Sequence, residues 1–144
     1  MEECPLEIKM KLHYGGSEPF STPKGDWIDL CASEDVNMRK GEWKIIPLGI
    51  SMQLPLGYEA HLLPRSSTYK KWGIVMANSS GIIDYSYCGD EDIWGFSAIA
   101  MRDTEIKKGD RICQFRIFEK QPKVYFTHVD SLNNKNRGGF GVTG

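Results

Sequence analysis

The chain has 144 residues, of which 40% are hydrophobic and 26% charged, and its formal net charge is -1. That length suits one globular domain, and a second core of useful size would be hard to accommodate. Because the charges balance, the chain has no overall field that would attract DNA or an anionic membrane, and we expect neither as a partner.

The N-terminus and the cysteines bear on the cellular compartment. The chain begins Met-Glu-Glu-Cys-Pro, which is acidic and has no apolar core, so we expect no signal peptide. No run approaches the roughly 18 apolar residues that cross a bilayer. The four cysteines form no C-x-x-C pair, and their spacing fits neither a zinc site nor a disulfide framework. We therefore expect a cytoplasmic protein.

Alternating apolar residues predict several strands. Residues 6–12 place apolar side chains on one face and charged side chains on the other, which predicts a strand with one buried face. Residues 43–54 and 58–63 predict two further strands around a turn at 54–57. Residues 111–118 predict a strand that is covered on both sides, because neither of its faces is wholly polar.

Helical signal is nearly absent. Residues 66–72 could form one short helix, with Ser66 or Ser67 as its N-cap. Turn signals recur about every 8 to 12 residues, which favours an all-β sandwich, barrel or jelly roll. Residues 133–144 are polar and glycine-rich and cannot build a core. We therefore predict a domain over 1–132 and a mobile C-terminal arm over 133–144.

Two segments of the first half place polar side chains at strand ends. Asp29 lies in an otherwise apolar run, and an ordinary strand-edge aspartate is the alternative interpretation. Pro64-Arg65-Ser66-Ser67 follows an apolar strand, where backbone N–H groups, hydroxyls and a guanidinium could bind an oxyanion. A capped short helix with a solvated arginine explains the same residues equally well.

A third segment, residues 78–90, combines two glycines eight positions apart with Asp84. The glycines suit a β-hairpin whose backbone edge could face a planar ligand. Asp84 follows two apolar residues, where a carboxylate could be held near a reacting water. A plain hairpin with a surface aspartate is the alternative.

Two further segments lie toward the C-terminus. Gln114 points away from the face of Cys113 and Phe115, where its amide could donate to phosphate oxygens, although a satisfied strand glutamine is commoner. Arg137 and Phe140 stand among glycines in the arm. That combination suits a lid, and a flexible chain end is the alternative.

In order and spacing, the five segments together resemble the five motifs of the trimeric deoxyuridine triphosphatase (dUTPase) family. The most specific is Gly81-x-Ile83-Asp84-x-x-Tyr87-x-Gly89, and Pro64-Arg65-Ser66-Ser67 is next. The resemblance implies a dUTPase-like jelly roll, of the β-clip or distorted-barrel kind, in a homotrimer whose three sites each draw on all three subunits. It also implies hydrolysis of dUTP to dUMP and pyrophosphate, which keeps uracil out of DNA and supplies dUMP for thymidylate synthesis.

The resemblance implies residue roles as well. Asp84 would orient the water that attacks the α-phosphorus, and the Tyr87 ring would pack under the deoxyribose and exclude a 2′-hydroxyl. Asp29 would support the phosphate network, and Mg²⁺ would be held by phosphates and water rather than by side chains. The other implied residues are Asn78, Gly81, Ile82 and Ile83 for the base, Arg65, Ser66, Ser67, Gln114 and Arg137 for the phosphates, and Phe140 and Gly141 for the lid.

The sequence departs from the family pattern around the third motif. Ser86 stands where the family usually has a second acid, and the run 90–96 is about two residues longer than usual. The fifth motif is correspondingly short. We therefore hypothesise that Trp94 or Phe96 shares the base-covering role with Phe140.

Two other functions fit parts of the pattern. A deoxycytidine triphosphate deaminase has the same fold, but Asp84 and Tyr87 follow the hydrolase pattern. A trimeric module that binds a protein partner under nucleotide control is the other alternative, and the catalytic residues argue against pure binding.

Overall fold

The computed structural model describes residues 4–141. Within that range the chain forms eleven strands and one helix of five residues, so the prediction of an all-β fold is confirmed. The strands are β1 Lys9–Leu12, β2 Ile28–Cys31, β3 Val36–Met38, β4 Trp43–Pro47, β5 Ile50–Gln53, β6 Tyr58–Pro64, β7 Ile74–Met76, β8 Gly81–Ile83, β9 Gly95–Ala100, β10 Thr104–Ile106 and β11 Arg111–Glu119, and the helix is α1, Thr68–Trp72.

The strands are distributed over four antiparallel sheets. The largest sheet has the order β2-β11-β6-β8, and a three-stranded sheet has the order β4-β9-β7. Two-stranded sheets are formed by β1 with β5 and by β3 with β10. The described strands form no closed barrel, and β8 is therefore left at an edge of the largest sheet.

One hydrophobic core joins the two larger sheets. Strand β9 alternates strictly and buries Phe96, Ala98 and Ala100, as expected for a strand with one face on a core. Phe115 of β11 packs edge to face against Trp94, with ring centroids 5.2 Å apart. Full burial of a phenylalanine contributes roughly 1.5–3 kcal/mol, so this contact helps to hold β9 against β11.

Strand β11 confirms the prediction over 111–118 but not its simple alternation. The pairing with β2 shifts register between Arg111 and Cys113, which is a β-bulge. A bulge inserts one extra residue into a strand, and here both Ile112 and Cys113 are buried instead of pointing to opposite faces. Beyond the bulge the outer face is only partly covered, and Arg116 is exposed.

The first strand differs from its prediction. Strand β1 begins at Lys9, and all four of its residues are exposed, including Met10 at 43% and Leu12 at 41%. Of the predicted buried face, Ile8 packs against the core, whereas Leu6, Met10 and Leu12 stay exposed. Among residues 4–141, β5 is the only strand that pairs with β1.

The strand predicted over 43–54 is broken into β4 and β5. Gly49 separates them with a φ of 67°, in the left-handed region that glycine favours. A Cβ at Gly49 would lie 2.6 Å from Gly16 Cα, so a side chain would also collide with the neighbouring loop. The break sends β4 and β5 into different sheets.

Helix α1 lies within the predicted span, and Ser67 is its N-cap, although the Ser67 side chain makes no capping hydrogen bond. The helix ends at Gly73, whose N–H donates to the Tyr69 carbonyl from a left-handed conformation. In the described part of the chain, no helix has the length and apolar character needed to cross a membrane.

The predicted hairpin over 78–90 is wrong. Among the described residues, β8 is the only strand within 78–90, and it pairs with β6. Residues 84–90 form no strand that returns along β8, so the two glycines do not frame a hairpin.

An exposed segment follows the last strand. Residues 120–141 form no helix or strand and are exposed throughout. This segment begins before the boundary that we predicted between 132 and 133, and it includes the apolar stretch at 124–126. We call residues 120–141 the C-terminal arm.

Candidate active site

Strand β8 offers a free backbone edge. It pairs with β6 through Gly81, Ile82 and Ile83, and no described strand pairs with its other side. Edge strands leave a row of unpaired N–H and C=O groups. A planar ligand with alternating donors and acceptors could therefore bind this edge as a further strand would.

Asp84 follows β8 directly. Its Oδ1 accepts a hydrogen bond from the Ser86 backbone N–H at 2.8 Å. This bond, together with the Ser86 side chain, holds the pKa of Asp84 below its usual value. The carboxylate is therefore ionised at neutral pH. Among residues 4–141 only Ser86 hydrogen-bonds this exposed carboxylate, so it can also accept a hydrogen bond from a water molecule.

The Tyr87 ring is held in place by a hydrogen bond of its hydroxyl. Its hydroxyl donates to the Ile93 carbonyl at 2.8 Å. Burial, and after it the Asp92 carboxylate, raises the pKa of Tyr87, so the phenol keeps the proton that it donates. The ring is 40% exposed and can present a face to a ligand.

These groups share one cleft of about 460 Å³, which we call the first cleft. It contains five of the six predicted nucleoside-binding residues, while Gly81 is buried beside them against Leu62. Ile45 and Ser97 were not predicted from the sequence, and they line the cleft because β4 and β9 pair with each other. The lining residues are Ile45, Asn78, Ile82, Ile83, Asp84, Ser86, Tyr87, Ile93, Trp94, Gly95 and Ser97.

A second cleft of about 270 Å³ brings together three of the five predicted phosphate-binding residues, Arg65, Ser66 and Gln114. Ser67 is not among its lining residues, because it serves as the N-cap of α1. The Gln114 amide already donates to the Pro64 carbonyl at 3.1 Å, which leaves one of its two N–H bonds for a ligand. The lining residues are Thr22, Gly25, Asp26, Trp27, Asp29, Arg65, Ser66 and Gln114.

Two arginines converge on Asp29 in the second cleft. Its buried carboxylate lies 3.2 Å from Arg65 Nε and 3.6 Å from Arg111 Nη1. Arg65 Nη1 also donates to the Arg111 carbonyl at 3.1 Å. Two guanidinium groups against one carboxylate leave a net positive charge that suits an anion. Arg111 was not predicted from the sequence and does not line the second cleft, but its pairing with Cys31 of β2 brings it against Asp29.

Thr68 is a further residue that the sequence did not reveal. It is fully buried, and its hydroxyl accepts from the Arg65 N–H and donates to the Ile112 carbonyl, both at 2.8 Å. This hydroxyl ties the Arg65 backbone to β11. It is therefore a positioning group for the arginine.

The two clefts lie at opposite ends of β6 and share no lining residue. Asp84 follows Ile83, which pairs with Ala60. Arg65 follows the other end of the strand. The step from Ala60 to Arg65 is five residues, roughly 16 Å of extended chain at about 3.3 Å per residue.

Comparison with known proteins identifies the family. Residues 20–144 match the dUTPase family. The chain belongs to the dUTPase family. The predicted family, and the prediction of a dUTP nucleotidohydrolase, are confirmed. A prophage-derived deoxyuridine 5'-triphosphate nucleotidohydrolase of Bacillus subtilis is 61% identical over 121 residues, which are 84% of this chain and 85% of the relative. The Maricaulis maris deoxyuridine 5'-triphosphate nucleotidohydrolase is 34% identical, and the match covers 100% of this chain and 99% of the relative.

Solved structures of dUTPases share the fold. The Staphylococcus bacteriophage 80alpha dUTPase with dUPNHPP superposes with a TM-score of 0.78 at 20% identity, over 96% of this chain and 98% of that one. The Streptococcus mutans dUTPase gives 0.72 at 22% identity, over 81% and 98%. The predicted dUTPase-like jelly roll is thereby confirmed.

The structure keeps the fifth dUTPase motif apart from both clefts. Arg137, Phe140 and Gly141 lie in the C-terminal arm, and the Phe140 ring is fully exposed. Among the described residues, no hydrogen bond or ion pair joins them to either cleft. These residues could make their predicted contacts with a nucleotide only if the arm moved toward a cleft of its own chain, or if it reached a cleft of another copy.

The hypothesis about Trp94 and Phe96 needs correction. Both belong to the core, with exposures of 1% and 0%. Trp94 contributes to the wall of the first cleft, but its ring packs on Phe115. An aromatic ring buried in this way could cover a base only by leaving the core, so neither residue substitutes for Phe140.

Proposed function

We propose that the chain hydrolyses dUTP to dUMP and pyrophosphate by in-line attack of water on the α-phosphorus. The observation that carries the proposal is the first cleft, where an ionised carboxylate follows a strand with a free backbone edge. One group can hold a water while the other binds a base. Membership of the dUTPase family supports the same reaction.

The base is uracil, bound by Asn78 and by the edge of β8. The free N–H and C=O groups along the outer edge of β8 match the alternating acceptors and donor of that base. Cytosine reverses the donor and acceptor at positions 3 and 4 and would leave buried polar groups unpaired, which is the stronger kind of discrimination. The Tyr87 ring packs under the sugar and leaves no space for a 2′-hydroxyl.

Asp84 orients the attacking water. Its Oδ1 accepts from the Ser86 N–H, and the exposed carboxylate also holds the water at hydrogen-bond distance. The usual second acid of the family is replaced by Ser86, which adds no charge here and instead fixes the carboxylate. The lowered pKa of Asp84 keeps this acceptor available at neutral pH.

The triphosphate binds in the second cleft. Arg65, Ser66 and Gln114 supply donors, Ser67 adds to them from the start of α1, and Arg137 of the arm covers the γ-phosphate. The substrate is the Mg²⁺ complex of dUTP. The phosphates and water carry this cation, which would neutralise charge on the triphosphate and hold it for in-line attack.

The functional unit is a homotrimer. A water on Asp84 must reach the α-phosphorus, yet the phosphate donors of the same chain lie roughly 16 Å further along β6. Two copies can meet this requirement if one supplies the first cleft and the other supplies the second. The arm of the third copy, with Phe140 and Gly141, closes over the base, which also gives the exposed apolar side chains of the arm a surface to cover.

The reaction takes place in the cytoplasm. All four cysteines are free thiols, as a reducing compartment would keep them. Removal of dUTP there keeps uracil out of DNA and supplies dUMP for thymidylate synthesis.

The test is release of pyrophosphate from dUTP, UTP, dCTP and dTTP, each with Mg²⁺ or with a chelator. We expect release from dUTP with Mg²⁺ and little from the other combinations. Equal release from dCTP and dUTP would contradict base reading by β8, and ammonia release from dCTP would favour the deaminase. Undiminished activity in chelator would contradict the role of Mg²⁺.

A further inference from the structure

The loop after the third motif is longer than the family pattern and is unusually well anchored. We call residues 88–93 the acidic loop; it joins Tyr87 to Trp94. One hydrogen bond closes the loop on itself at Asp92, and two others connect Asp90 and the adjoining Trp94 to β5.

The centre of the loop is closed by Asp92. Its Oδ2 accepts from the Gly89 N–H at 2.8 Å, and its own N–H donates to the Gly89 carbonyl at 3.1 Å. The two bonds form a reciprocal pair across a four-residue turn. The Asp92 carboxylate therefore supplies one of the two hydrogen bonds that close the turn.

The loop is also held from below by Ser51 of β5. This buried hydroxyl donates its single proton to the Asp90 carbonyl at 3.2 Å. It must therefore accept the hydrogen bond from His13 Nε2 at 2.9 Å. Asp90 is thus connected through β5 to the segment after β1.

The end of the loop connects directly to Tyr87. The Trp94 N–H donates to the Ile50 carbonyl of β5 at 2.9 Å, and the Ile93 carbonyl accepts from the Tyr87 hydroxyl at 2.8 Å. These N–H and C=O groups belong to one peptide unit. Because a trans peptide points them in opposite directions, the unit bridges β5 on one side and Tyr87 on the other.

We propose that the acidic loop positions the Tyr87 ring, with Asp92 and Ser51 as positioning residues, and thereby sets how strictly the enzyme rejects ribonucleotides. The inference rests on the proposed function, in which the ring excludes a 2′-hydroxyl. A pocket rejects one extra hydroxyl only weakly, so the discrimination depends on how little the wall can move. The acidic loop restricts that movement.

The experiment compares kcat/KM for dUTP, UTP and dTTP in the wild type, Asp92→Ala, Asp92→Asn and Glu91→Ala. In Asp92→Ala we expect the dUTP-to-UTP ratio to fall roughly tenfold, about the effect of one lost hydrogen bond. The dUTP-to-dTTP ratio should stay unchanged, because β8 and not Tyr87 reads the base. A merely structural role would change both ratios.

Two variants serve as controls. Asp92→Asn keeps the oxygen that accepts from Gly89 and should restore the wild-type ratio. Glu91→Ala removes the same charge from the same loop but breaks only a 3.9 Å contact with Lys11, so it should also keep the ratio. If Asp92→Ala does not fold, Ser51→Ala tests the same connection from β5, with the same expected fall.

An unchanged dUTP-to-UTP ratio in a folded Asp92→Ala or Ser51→Ala enzyme would overturn the inference while leaving the proposed function intact. An equal fall of the dUTP-to-UTP ratio in Glu91→Ala would also overturn the inference, because the loss of a negative charge, and not the loss of the turn, would then explain the change in selectivity. A wild-type enzyme that does not hydrolyse dUTP would remove the proposed function and this inference together.

Discussion

The first cleft is assembled largely from neighbours in sequence, whereas the second is assembled from distant strands. Asn78, Asp84 and Tyr87 fall within ten residues, and their geometry is fixed by short turns and one strand edge. Asp29 and Gln114 are paired across β2 and β11, and Arg65 joins them from the end of β6. Recognition of a base depends on the backbone groups of one short segment. Binding of a polyphosphate depends on positively charged and polar side chains that strand pairing brings together from distant parts of the chain.

The largest effect is expected from the first cleft. Asp84→Asn should lower kcat by about 10²–10⁴-fold and leave nucleotide binding nearly intact, because an amide cannot accept a proton from the water. Pyrophosphate release and equilibrium binding of dUTP measure the two quantities separately. Glu18→Gln, which neutralises an exposed acid elsewhere, should retain full activity. A fully active Asp84→Asn enzyme would remove the proposed water acceptor.

The second cleft should respond differently. Arg65→Ala should lower kcat/KM on the order of a hundredfold, because it removes a donor to the developing charge and leaves Asp29 with one arginine. Unlike Asp84→Asn, it should also weaken binding of the nucleotide. Arg65→Lys should recover only part of the loss, since lysine lacks the planar fork. The matched control is Arg39→Ala, an exposed arginine outside both clefts. If Arg65→Ala binds dUTP as tightly as the wild type, the triphosphate lies elsewhere.

The third prediction concerns the stability of the fold around the second cleft, which depends on Thr68. Thr68→Val should destabilise the fold by about 1–3 kcal/mol, because the Arg65 N–H and the Ile112 carbonyl lose their buried partner. Thermal unfolding at one fixed protein concentration measures this, since assembly shifts apparent stability. Ser66→Ala, at an exposed position of the same turn, should leave the unfolding midpoint unchanged. Equal midpoints for Thr68→Val and the wild type would contradict the positioning role.

The smallest effect concerns the pH dependence set by Asp84. Because its pKa is lowered below the usual value for an aspartate, the carboxylate stays ionised on mild acidification, and activity that depends on it should fall only on stronger acidification. Ser86→Ala removes the side-chain contact that lowers the pKa of Asp84 but keeps the backbone N–H, which is the larger cause of the lowering. The pH at which kcat/KM falls on acidification should therefore rise only slightly in this variant. The kcat/KM profile of the two enzymes between about pH 3.5 and 7 measures the difference. A downward movement would contradict the assigned contacts.

The residues of the first cleft, which are close in sequence, were predicted better than those of the second cleft, which come from distant strands. Alternation and turn residues predicted strands such as β6 and β11, and the spacing of Asp84 and Tyr87 predicted neighbours that indeed share a cleft. The failures depended on partners distant in sequence. The hairpin was wrong because β8 pairs with the distant strand β6, while residues 84–90 form no strand beside it. Arg111 and Thr68 have no local signature, since their roles come from contacts with β2 and β11.

The most direct test of the account is complementation between two inactive variants. Asp84→Asn has an intact second cleft, and Arg65→Ala has an intact first cleft. When the two chains are co-expressed, random trimers should regain up to about a quarter of wild-type activity, because a site then combines intact clefts from different copies. Mixed trimers no more active than either variant alone would contradict the account, since both clefts would then have to act within one chain.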